Sequence, residues 1–121
     1  TSLKEGDLNK AIIFASIGYE IFIKEYTENA IKKTKLSLNF WKYLKGRQPR
    51  VLDYYDSILH LIIGHSLKTE NKDLYISLER LNSARNDIVH EGKLALSISQ
   101  SKQLRKDINN INKVISWVNA L

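Results

Sequence analysis

The sequence predicts an all-α fold, on three observations: apolar residues recur at helical spacing through most of the chain, there is one proline, and only five of 121 residues are glycine. Alternating strand patterns have no obvious place. The periodic stretches make four principal helices plus a short one, enough for an up-down bundle. With 43% hydrophobic residues the chain reads as one domain, residues 1–121, able to bury a core without staples.

Asp7 can cap a first helix running from Leu8 to Tyr26 or Lys35, about 40 Å long if unbroken. Its main stripe is Leu8, Ile12, Ala15, Tyr19, Phe22 and Tyr26. A second strip, Ile13, Phe14, Ile17 and Ile21, lies on nearly the opposite side, facing either another subunit or a second layer of the same bundle. Residues 36–49 read as a short helix and a loop, closed by Gly46 and Pro49. A further helix spans about 50–63, with Val51, Tyr54 or Tyr55, Ile58, Leu61 and Ile62 inward, and stops at Gly64. Asn71 can cap a helix over 72–90, and Ser97 or Ser99 the last one, whose stripe is Leu104, Ile108, Ile111, Ile115 and Val118.

The 72–90 segment carries the chemistry. Leu74, Leu78, Leu81, Arg85 and Ile88 are four, three, four and three residues apart, which places Arg85 on an apolar stripe. A buried arginine needs a carboxylate or an anion beside it, and Glu20 at the edge of the second strip is a candidate counter-charge. Glu91-Gly92 ends the helix, leaving His90 in its last turn, where the helix dipole favours a protonated imidazole. Taken alone, Arg85 and His90 can be a structural arginine and a helix cap, or a catalytic pair. Spacing puts them about 140° apart around an ideal helix and ~7.5 Å apart along it. They converge only if the helix unwinds near His90 or if two copies of the segment meet.

Leu81-Asn82-Ser83-Ala84-Arg85-Asn86-Asp87-Ile88-Val89-His90-Glu91-Gly92 resembles the signature of HEPN domains, small helical modules marked by an Arg, four to six residues and a His, with a polar residue such as Asn86 often following the Arg. A long first helix and a closing helix with Ile115-Ser116-Trp117-Val118 are similar to the abortive-infection-like branch of that superfamily. The resemblance implies a homodimer in which two motifs form one cleft, and a metal-independent endoribonuclease of a toxin or antiviral defence protein. RNA would be cut by attack of its own 2′-hydroxyl. Arg85 would stabilise phosphate charge, His90 would act as general base or acid, and Asn86 would orient one of them or the phosphate by hydrogen bonding. HEPN domains that only bind RNA or assemble proteins supply the alternative. Gly92 stands where toxins paired with a nucleotidyltransferase antitoxin usually carry tyrosine, so the resemblance does not extend to control by tyrosine modification.

The net charge is +6. Lys32, Lys33, Lys35, Lys42, Lys45, Arg47 and Arg50 fall between Glu28 and Asp53 with no acidic residue among them. Phe40, Trp41 and Tyr43 are interleaved with these cations, a mixture that grips phosphates and stacks bases. The same run also reads as a solvated linker whose aromatics plug the core.

Other chemistries are poorly served. There is no cysteine, which excludes disulfides and zinc thiolates and fits a reducing, cytoplasmic compartment. His60 and His65 are at the wrong step to share a helix face, and Asp56 and His60 alone do not make a metal site. No Gly-rich phosphate loop or nucleophile elbow is present, so no cofactor is expected. No apolar run reaches the length of a membrane span. A chain that starts at Thr1 and lacks methionine reads as part of a longer protein.

Overall fold

The computed structural model describes residues 5–34, 38–92 and 96–121. Among them every regular element is helical, and together they form an all-α bundle. Helix α1 (Glu5–Lys33) is followed by α2 (Leu38–Gly46). Helix α3 covers 51–63 in three joined parts, Val51–Asp53, a π turn Tyr54–Ile58, and Leu59–Ile63. A single turn, α4 (Leu67–Glu70), leads into α5 (Lys72–Glu91), and α6 (Ile98–Asn119) closes the bundle. The three long helices α1, α5 and α6 pack on one another, α3 lies against α1, and α4 against α5.

Local chemistry sets most boundaries. Gly64 and Gly92 both adopt φ of +79°, the left-handed conformation that ends a helix, and the Gly92 N–H donates to the Ile88 carbonyl at 2.7 Å. Asn71 accepts from the Leu74 N–H at the start of α5. Ser97, rather than Ser99, caps α6 in a reciprocal box with Gln100. Asp7 is no cap, because it lies inside α1. The α4 turn is absent from the sequence reading; it starts at Ser66, whose hydroxyl accepts from the Thr69 N–H.

Three stripes differ from their sequence reading; in α6 the buried line is Leu104, Asp107, Ile111, Val114 and Val118, with Ile108 and Ile115 half-buried. In α3 the π turn adds a residue to the local repeat and rotates the remainder of the helix, so both Tyr54 and Tyr55 are buried, Leu59 is inward, and Leu61 is 68% exposed. In α1 the inward face drifts from Leu8 and Ile12 through Ser16 and Tyr19 to Ile23, Thr27 and Ile31, while Ala15, Phe22 and Tyr26 are half-buried. A straight helix advances slightly less than four residues per turn, so over this length the buried line moves around it. The second strip of α1 faces outward, with Phe14 71% exposed and Ile17 and Ile21 also exposed.

Candidate active site and nucleic-acid interface

Arg85 sits on α5 at the contact with α1, half-buried. The ion pairs among the described residues all use other cations, and Arg85 makes no hydrogen bond there. Glu20 is paired with Lys24 at 3.0 Å.

The Arg85 charge is felt at Tyr19, whose side chain is buried. Burial raises the proton affinity of the phenol; the neighbouring Ser16 hydroxyl and the Arg85 charge act against this, and Glu20 adds to it. Ser16 donates its own proton to the Ile12 carbonyl at 2.8 Å. The Tyr19 hydroxyl is left buried without a hydrogen-bond partner among the described residues. The backbone carbonyl of Tyr19 is better served, accepting from the Tyr55 hydroxyl at 2.6 Å.

Asn86 and His90 are exposed on the last turns of α5. The helix stays regular through Glu91 and stops at Gly92, so no unwinding brings His90 round to Arg85. Helical geometry puts His90 on the side of Ser83, Asn86 and Asp87, within about 60° of each, and about 140° from Arg85. Within one chain the motif therefore has two faces. Beside it, Ile88 and the α1 residues Asn9, Lys10, Ile13 and Phe14 line a shallow hollow of about 180 Å³. This hollow joins the exposed strip of α1 to the motif helix.

The face of α5 turned toward α6 holds a pair that the sequence reading missed. Arg80 donates Nε and Nη2 to the two oxygens of Asp107, both at 2.8 Å, and Gln103 donates to the same carboxylate at 3.1 Å. Asp107 is fully buried. The carboxylate holds the Arg80 guanidinium in its charged form beyond the ordinary range. A signal was present: Asp107 is three residues after Leu104 and four before Ile111, squarely on the α6 stripe.

The basic segment sits elsewhere. Trp41 of α2 is buried edge-on to Tyr54, and Lys24 of α1 approaches the Tyr54 ring at 5.9 Å. Ile88 meets α1 near residues 9–13, so α2 lies roughly 20 Å further along α1. Tyr43 is 63% exposed, with Arg47 over its ring at 5.8 Å, and Lys45 stands over Trp41 at 5.6 Å. Lys42 is exposed. Arg50 is committed to Asp53 at 3.1 Å; Lys32 pairs with Glu28 at 3.9 Å, and Lys33 lines a hollow with Tyr26, Asn29 and Thr34. Lys35 lies outside the described residues.

His65 pairs with Glu70 at 2.9 Å, and Asp56 accepts from the Ser66 hydroxyl at 2.5 Å. Among the described residues no three His, Cys, Asp or Glu side chains converge as a metal site would require. None of their helices is long and apolar enough to cross a membrane. In comparisons with protein-family models, curated proteins and solved structures, nothing matches this chain.

Proposed function

We propose that this protein is a metal-independent endoribonuclease of HEPN type that acts as a homodimer, in a toxin or antiviral defence role. One observation carries the reading: Arg85 is a half-buried cation without an ion-pair partner among the described residues, five residues before an exposed histidine on a helix that does not unwind. Two copies are then needed to bring an Arg85 and a His90 to one phosphate. The exposed Phe14, Ile17 and Ile21, continuous with Ile88 through the α1–α5 hollow, provide apolar area for such a contact.

The chemistry follows from the residue types. His90 takes the proton of an RNA 2′-hydroxyl as its oxygen attacks the adjacent phosphorus. Arg85 of the other copy stabilises the charge that builds on the phosphoryl oxygens. The P–O5′ bond breaks, and the imidazolium returns the proton to the 5′-oxygen, leaving a 2′,3′-cyclic phosphate and a 5′-hydroxyl. Asn86 orients the phosphate. Lys42, Lys45 and Arg47, roughly 20 Å along α1 from the motif, hold the flanking strand.

The test is cleavage of single-stranded RNA in EDTA. Wild-type protein should cut it, Arg85→Ala should lose about 10² to 10³ in rate, and His90→Ala about 10² to 10⁴. Asn86→Ala should be milder. A 2′-deoxy sugar at the cut site should block the reaction. Intact RNA with the wild-type protein, or undiminished cutting by the double variant, would leave the alternative, a module that binds RNA without cutting it.

A further inference from the structure

A cleft of about 240 Å³ opens between α5 and α6, walled by Arg80, Ser83, Asp87, Gln100 and Gln103. Its floor is apolar, formed by Ala84, Leu96 and Leu104. Pockets for whole small-molecule ligands usually run about 300–1,000 Å³, so this one takes a single ring system. A polar rim over an apolar floor suits a flat heterocycle that lies with one face on the floor and its edge groups toward the rim.

The rim is specific about which heterocycle. The bonds to Asp107 use two of the five N–H groups of Arg80 and leave three. The buried carboxylate fixes the guanidinium plane, so these remaining donors are held in place rather than swinging in solvent. Gln100 uses its side-chain oxygen on the Ser97 N–H, and Gln103 uses one N–H of its amide on Asp107; the Gln100 amide nitrogen, and the oxygen and second N–H of Gln103, are left over. Asp87 has no ion pair among the described residues and, ionised, only accepts hydrogen bonds.

We propose that this cleft binds a guanine base, with the Asp87 carboxylate accepting from N1–H and the N2 amine and Arg80 donating to O6 and N7. Only guanine presents two adjacent N–H donors to a carboxylate. Adenine and cytosine each set a ring-nitrogen lone pair beside their amine, and uracil flanks its one N–H with two carbonyls. Arginine forked to O6 and N7 is a common guanine contact. Asp87 lies one turn before His90 on the same side of α5, so a base held here directs its own sugar and phosphate toward His90. That placement rests on the ribonuclease reading; base binding itself does not.

The experiment is a calorimetric titration of the purified chain with 3′-GMP, 3′-AMP, 3′-CMP and 3′-UMP. The expected result is that 3′-GMP binds at least about ten-fold tighter than the others. Asp87→Asn should weaken it about ten- to hundred-fold, the range of one lost bidentate contact. Both Asp87 and Ser83 are exposed, so Asp87→Asn and the cleft-filling Ser83→Leu should retain the wild-type helical circular dichroism, and Ser83→Leu should remove binding altogether. Equal affinity for the four nucleotides, no binding, or an Asp87→Asn protein that binds 3′-GMP normally would overturn the proposal. Cleavage of random RNA without a guanine beside the cut would overturn the placement of the base beside His90 and leave the ribonuclease standing. Binding of 3′-GMP through Asp87 by a protein that cuts no RNA would uphold the proposal and remove the ribonuclease.

Discussion

Arg80 on α5 and Asp107 on α6 are joined by two parallel hydrogen bonds of 2.8 Å, and the carboxylate has no exposed surface. Arg80 keeps 41% of its side-chain surface in solvent, so the pair is buried at one end only. Removing the arginine would leave Asp107 in the core with Gln103 alone. Breaking a fully buried pair costs about 3–5 kcal/mol, and the half-exposed arginine puts Arg80→Ala near the lower end, about 3 kcal/mol. Urea unfolding followed by circular dichroism checks this. A loss below about 1 kcal/mol would mean that water replaces the arginine.

Stability should also fall in alkali. Burial raises the Tyr55 and Tyr19 phenols above the ordinary value of 10.0. A phenol whose folded pKa lies above its unfolded one holds its proton more tightly in the fold. The full contribution is present below pH 10 and is lost as pH rises toward the folded value. Each such tyrosine subtracts up to about 1.4 kcal/mol per pH unit in that window. Urea midpoints at pH 8, 10 and 11 should be level up to about 10 and then drop, with tyrosinate absorbance appearing alongside unfolding.

Much of the fold is legible in the sequence because its helix ends are chemical. Gly64, Gly92, Asn71 and Ser97 act where turn and cap chemistry put them. The α3 stripe is not legible, since an extra residue in the π turn changes the period on which such a reading relies, and buries Tyr54 and Tyr55 together. The rule that singles out Arg85, a charge on an apolar stripe, applies equally to Asp107. Followed through α6 it finds the core carboxylate, whose arginine is Arg80. Glu20 pairs with Lys24 one turn away, and no ion pair among the described residues joins it to Arg85.

The outward strip of α1 predicts self-association. Sedimentation equilibrium at micromolar concentration should give twice the 14.0 kDa chain mass. Phe14 and Ile17 are exposed in the single chain, so the double variant Phe14→Glu and Ile17→Glu should keep its helix content yet sediment as a monomer. A dimer unaffected by these charges would move the interface elsewhere.

RNA affinity should depend on salt through the exposed cations of α2 and Arg47 just after it. Each phosphate contact on a single strand contributes about −0.7 to the slope of log affinity against log salt. Replacing Lys42, Lys45 and Arg47 with Gln should reduce the slope by about 2. Arg50→Gln should change it less, because Arg50 is already tied to Asp53. An unchanged slope in the triple variant would show that the strand runs elsewhere.

The most direct test of a site shared between two copies is complementation. Arg85→Ala and His90→Ala proteins, each inactive alone, are unfolded together and refolded as a mixture, with two affinity tags to isolate the heterodimer. A heterodimer joins an intact His90 from one copy to an intact Arg85 from the other, so RNA cleavage should return well above either variant. A heterodimer that forms and remains as inactive as its parents would contradict the shared site.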